Sequence, residues 1–214
     1  MEVRLKRSVQ VVFVLSLACA FLAAFSNTAQ AQKIDIAFGV STIDAPGASD
    51  ANNSSNHVPQ SLTGGAYPGV SGDVTFWHNL GIGAEVFWRG TQSDNYLPAQ
   101  FGNGLNFRPV FYNFNAVYSA KIAPHVAVEL VGGIGALDTH FYACNICTGG
   151  GGGGSSLISS SNHFDADFGG GIKLYAHSGF FVRPEARFYL INNNVDYSSN
   201  HAARVGVSVG YTFR

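Results

Sequence analysis

Near the end of the chain Ala203, Val205, Val207, Val209, Tyr211 and Phe213 alternate with Arg204, Gly206, Ser208, Gly210 and Thr212. Successive side chains of a β-strand point to opposite faces, so this segment predicts a strand with one apolar face and one small or polar face. Seven more segments follow the same rule: Lys33 to Thr42, Gly69 to His78, Gly81 to Thr91, Phe107 to Ala120, Val126 to Tyr142, His163 to Ala176 and Phe180 to Ile191. Each comes near or exceeds the ~9 to 11 residues that a tilted transmembrane strand needs. No helical period competes with them after residue 31, and no apolar run there reaches the ~18 residues of a spanning helix.

The connections are sorted by length. Ile43 to Pro68, Gln92 to Asn106, Ala143 to Asn162 and Asn192 to Asn200 are long, while Asn79 to Leu80, Lys121 to His125 and His177 to Gly179 are short. In an up-and-down meander alternate connections fall at the same end, so the long loops share one end and the tight turns the other. Outer-membrane barrels have this asymmetry, together with an even strand number. The fold expected is all-β, an eight-stranded antiparallel up-and-down transmembrane β-barrel.

Composition agrees. The 214 residues are 46% hydrophobic and 12% charged, about half the charge of an ordinary soluble domain. A formal net charge of −1 supplies no basic stripe for phosphates and argues against a nucleic-acid partner. Arg4, Lys6 and Arg7, the apolar run Val9 to Phe25 and the small-residue site Ala29-Gln30-Ala31 read as a cleaved export signal over residues 1–31, leaving 32–214 as the barrel domain. Lipidation at Cys19 is the competing reading, and Ser16-Leu17-Ala18 before it lacks the usual Leu at the third position back.

Alternation alone does not say which face is inside, since a lipocalin-like barrel keeps its apolar face inward. Here the polar face carries Asp35, Asp73, Glu85, Arg89, Glu129, Asp165, Asp167, Lys173, Arg183, Glu185, Arg187 and Arg204. Seven acids and five bases are too few to solvate an exterior and suit a narrow lumen where they can pair. Val126, Val128, Leu130, Ile134, Val182, Ala186, Phe188 and Leu190 then meet hydrocarbon. Phe87, Phe111, Val131 and Phe181 fall on the polar face, which a local β-bulge would correct. Two aromatic girdles are expected: Trp77, Tyr118, Tyr175, Phe180, Tyr211 and Phe213 at the turn end, and Trp88, Phe107, Tyr142, Phe164 and Tyr189 at the loop end.

With its export signal, its eight alternating segments, the penultimate strand Phe180-Phe181-Val182-Arg183-Pro184-Glu185-Ala186-Arg187-Phe188-Tyr189 and the last strand Gly206 to Arg214, the chain resembles the small outer-membrane β-barrels of OmpA and OmpX type. The resemblance implies insertion into the bacterial outer membrane by the barrel-assembly machinery and periplasmic chaperones, with Tyr211 and Phe213 as the terminal aromatic signal. It further implies a chain ending at the eighth strand, without the periplasmic domain of full-length OmpA proteins. Eight strands enclose a lumen that side chains just fill. The function expected is therefore structural, adhesive or loop-mediated, with lipid and an external ligand as partners and no cofactor, metal or catalytic residue. A narrow channel for small or hydrophobic solutes is the first alternative and a lipid-modifying enzyme the second.

Other candidate chemistry is sparse. Ser198, Ser199, His201 and Asp196 cluster in sequence, but proximity on one loop does not make a catalytic triad. Gly149 to Gly154 reads as a flexible linker, since no helix follows to complete a phosphate loop. Ala48 to Leu62 reads as a mobile loop, and His78, His125 and His177 as polar turn residues. Cys144 and Cys147, with His140 and His163 beside their loop, offer a redox pair or tetrahedral zinc ligands, but an oxidising compartment favours a disulfide closing a small loop. With that disulfide formed, an alkylating reagent added to unreduced, denatured mature protein labels neither Cys144 nor Cys147; full labelling of both rules it out.

Overall fold

A computed structural model describes residues 33–45, 62–96, 105–144, 155–176, 179–192 and 200–213. The strands are β1 (Lys33–Asp44), β2 (Tyr67–Trp77), β3 (Leu80–Trp88), β4 (Ser93–Tyr96), β5 (Leu105–Ala123), β6 (Val126–Cys144), β7 (Ser155–Tyr175), β8 (Phe180–Ile191) and β9 (His201–Phe213). The ring strands pair antiparallel in chain order, with β3 pairing with β5 and β1 closing onto β9. The result is a closed ring of eight up-and-down strands, with β4 as a short extra strand laid against β5 beyond the end of β3.

The turn between β2 and β3 explains its tightness. His78 and Asn79 both have positive φ, 44° and 70°, the backbone twist that a two-residue hairpin requires. At the other end β5, β6 and β7, of 19, 19 and 21 residues, are about twice as long as a spanning strand needs. β7 therefore starts at Ser155 and not near His163, because the serine-rich stretch hidden in the expected loop pairs with β6 from Cys144↔Ser155 onward. Among the described residues β8 pairs with β7 only from Asp165 on. Among the described residues the segment 155–163 therefore pairs with β6 alone, at the margin of a β5–β6–β7 sheet that runs on beyond the ring.

The alternation sorts the side chains as expected. Phe38, Phe114, Ile82, Ile134, Leu130 and Val209 stand 56 to 71% exposed on the outside, in a belt that continues around all eight ring strands. So much exposed apolar surface is untenable in water and natural in lipid. Phe87, Phe111, Val131 and Phe181 lie inside, at most 7% exposed, and no register shift falls beside them. The bulge invoked to turn them outward is unnecessary, because they fill the lumen between charged layers. Phe107 and Tyr189, expected in the outer girdle, are buried inside as well. Tyr175 also faces inward, its ring 5.8 Å from Phe181. Trp77, Tyr118, Phe180 and Phe213 at the turn end and Phe164 at the loop end do stand exposed on the outer face.

Inward glycines make room for the large side chains. A methyl on Gly206 would meet Ser41 Cβ at 2.6 Å and Val40 O at 2.8 Å. Gly206→Leu is expected to destabilise the barrel by about 1 to 3 kcal/mol through overpacking, read as a lower urea midpoint for the folded, heat-modifiable band in lipid vesicles.

Candidate functional site: a lumen filled by one ionic network

The inward positions of the ring strands converge on one chain of charges. Lys173 on β7 reaches Asp35 on β1 and Glu129 on β6, with Asp73 on β2 at 3.6 Å. Arg183 on β8 donates to Glu129 Oε1 at 2.7 Å and to Ser71 Oγ at 2.9 Å, and lies 3.0 Å from Glu185. Arg204 on β9 bridges Glu185 and Glu85, each at 3.0 Å. Arg187 joins Glu85 at 3.2 Å to Asp167 at 2.9 Å. Asn113 on β5 donates from Nδ2 to Asp165 and Asp167. The connection is unbroken from Lys173 to Asp165.

Of the twelve charged residues that the sequence places on the polar face, eleven meet here: Asp35, Asp73, Glu85, Glu129, Asp165, Asp167, Lys173, Arg183, Glu185, Arg187 and Arg204. Arg89 does not. β3 ends at Trp88, and the Arg89 guanidinium, one position beyond it, lies 5.9 Å from the buried Phe107 ring at the loop end, past the charged layer. Sequence reasoning did not single out Ser71, Ser208, Asn113, Asn115 or Tyr189 as members. The alternation Asn113-Phe114-Asn115 was the available signal, since it puts two amides on the inner face of β5. Asp35, Asp73 and Glu129 bring carboxylate oxygens within 4.8 Å of one another, yet the Lys173 ammonium sits among them, where a metal ion would have to be.

Apolar layers cap the network. Toward the loops, Phe87 stacks on Phe111 at 4.7 Å, and Tyr189 packs against both. The Arg204 guanidinium lies 4.0 Å from the Phe87 ring, a cation–π contact with a desolvated partner. Ile43, Leu62, Tyr67, Phe107, Leu137 and Phe141 continue this core toward the loop end. Toward the turns, Phe181 lies 5.3 Å from Lys173 Nζ, above a vestibule of about 400 Å³ lined by Lys121, His125, Tyr175 and Thr212. Within the lumen a cavity between Ser41, Ser71, Glu85 and Arg183 holds only about 20 Å³, the room of a single water.

Off the lumen, the described charged side chains stand at strand ends: Lys33 and Lys121 toward the turns, Asp44, Arg108 and Asp138 toward the loops. Tyr211 and Phe213 face outward at the turn end, rings 4.8 Å apart. The ring of His201 stacks outside on Phe188, while Asp196, Ser198 and Ser199 lie outside the described residues. So do Cys147, the Cys144 side chain, Gly149 to Gly154 and His177. Ser161 and His163, a pair missed in the sequence, hydrogen-bond at 3.0 Å on the inner face of β7.

No protein-family model and no curated protein sequence matches the chain. Solved structures do. A major outer membrane protein from Thermus thermophilus matches with a TM-score of 0.57 at 11% identity, over 86% of this chain and 100% of that one. Neisserial surface protein A matches with a TM-score of 0.51 at 12% identity, over 85% and 97%. The fold is that of the small outer-membrane β-barrels. The outer membrane enzyme PagL also matches, with a TM-score of 0.41 at 14% identity over 83% and 98%. Against this barrel frame, the network is expected to show its weight on mutation: Arg187→Leu leaves Asp167 without its cation and is expected to cost about 3 to 5 kcal/mol, and Glu129→Leu, which takes from Lys173 and Arg183 the carboxylate they share, is expected to cost about 3 kcal/mol. Arg89→Leu, outside the network, should cost under about 1 kcal/mol. Urea unfolding in lipid vesicles checks the ranking, and equal tolerance of all three contradicts it.

Proposed function

We propose that the protein is an outer-membrane barrel that acts through what it presents at its loop end, in a structural and adhesive role, and that it neither conducts nor catalyses. The observation that carries this reading is the projecting β5–β6–β7 sheet with its β7 edge. A strand edge is a template for another chain to add to, and this one has no second partner among the described residues, with Leu157 and Ile158 56% exposed on it. The membrane setting is supported by the apolar belt and by the fold, and the absence of conduction by the ionic, aromatic-capped lumen.

The same reading gives the remaining features their roles. Residues 1–31 direct export and are removed, Tyr211 and Phe213 present the assembly machinery with an outward aromatic pair, lipid surrounds the belt, and Cys144 with Cys147 closes the tip between β6 and β7. The external partner is a polypeptide that pairs with the β7 edge. Cells displaying the barrel with Leu157→Asp and Ile158→Asp are expected to attach to protein-coated surfaces about tenfold less than wild type, while the heat-modifiable band is unchanged. Equal attachment would remove the adhesive role. Steady large openings of the purified protein in planar bilayers would replace it with a channel.

A further inference from the structure

The two ends of the barrel differ in charge. Outside the lumen the acids of residues 33–214 are Asp44, Asp50, Asp94, Asp138 and Asp196, and all five fall in sequence toward the loops, with Arg89 and Arg108 among them. The turn end has no acid at all. Residues 76–81, 119–127, 174–181 and 211–214 contain no Asp or Glu, but they do contain Lys121, Arg214 and three histidines. The opening of the lumen at that end therefore lies in a field that attracts anions.

Backbone hydrogen bonds fix the walls of the vestibule found there. Tyr175 N donates to the His125 carbonyl and ties the β5–β6 turn to the end of β7. Ala176 N and Thr212 N donate to the Phe180 and Gly179 carbonyls, which sets the β7–β8 turn and joins it to β9. The space is about 400 Å³, and its polar lining is Lys121, His125, Tyr175 and Thr212, with no carboxylate among the residues around it. Phe181, its ring 5.8 Å from Tyr175 and 5.3 Å from Lys173 Nζ, divides the vestibule from the ionic network. Asp35, across the β1–β9 pair from Thr212, is buried and taken up by Lys173.

The groups on this lining are donors. Lys121 is exposed and forms no ion pair among the described residues; its ammonium carries three N–H groups. Thr212 Oγ1 donates to Tyr175 Oη at 3.4 Å, which leaves the hydrogen of the Tyr175 hydroxyl for another acceptor. His125 is exposed and presents a ring N–H in either tautomer.

We propose that this vestibule is a binding site for a phosphate group. Its donors come from β5, the β5–β6 turn and β7, and a tetrahedral oxyanion offers oxygens to several sides at once; lysine is a common point-charge partner for phosphate. Trp77, Tyr118, Phe180 and Phe213 stand exposed around the same end, where such rings lie at headgroup level. The phosphate of a leaflet lipid and a free phosphate both have access to the opening.

The test uses the full mature barrel folded in maltoside micelles, which contain no phosphate. Inorganic phosphate and a short-chain phosphatidylglycerol are titrated separately at matched ionic strength, and the Thr212 amide and His125 ring resonances are followed by NMR. At least one of the two is expected to give saturable shifts with a midpoint of about 1 mM or below. Saturation by inorganic phosphate makes a soluble phosphate sufficient, and saturation by phosphatidylglycerol alone assigns the occupant to the leaflet. Lys121→Gln and Tyr175→Phe are each expected to raise the midpoint about tenfold with the heat-modifiable band retained, whereas Arg108→Gln, at the loop end, leaves it unchanged. No saturable shift with either ligand overturns the site, as does a midpoint that Lys121→Gln does not move or an equal response to sodium chloride.

Discussion

In hydrocarbon a backbone N–H or C=O without a partner costs several kcal/mol, because there is no water to replace it. The closed ring answers that constraint and the rest of the molecule follows from it. Closing eight strands through the β1–β9 and β3–β5 pairs removes every sheet edge at membrane depth. It also creates an enclosed inner face, which must then be filled. Pro184, which lacks an N–H, sits in β8 where the β7–β8 ladder skips the pairs between Gly171↔Glu185 and Leu174↔Val182. Its other side keeps the pair with Val207.

Filling the lumen is a matter of electrostatics as much as volume. The interior is divided into an ionic layer between Phe181 below and the Phe87–Phe111–Tyr189 group above, and both apolar layers keep water from the charges. That exclusion strengthens each ion pair and raises the penalty on any unmatched member. The network therefore reads less as a source of net stability than as a device that admits only one registry of the contributing strands. A slip of one residue would send every charge into lipid.

The projecting sheet obeys the opposite rule. Outside the bilayer water can satisfy backbone groups, so β7 can run on past its last described partner on β8. Within the ring such an edge would be untenable; beyond it, water meets the backbone groups. The change of role falls at Asp165↔Ile191, where the β7–β8 pairing begins.

Period-two alternation by itself determined the strand count, the end at which the long loops lie, and the inward placement of the eleven charged residues of the network, because strand geometry maps sequence parity directly onto faces. It could not determine which inward residues touch. Lys173 and Asp35 are 138 positions apart, and their contact exists only because the closed ring brings the inner faces of β1 and β7 together across the lumen. Nor could it show that Arg89 drops out where β3 ends, that Phe87, Phe111 and Phe181 cap the charges and are not displaced by bulges, or that the serines from 155 onward continue β7. Those outcomes depend on where each strand stops and what stands opposite it. Asp165 is the sharpest case: the acids and bases can be counted in the sequence, but only the closed ring shows that its bond among the described residues comes from the Asn113 amide and not from a cation.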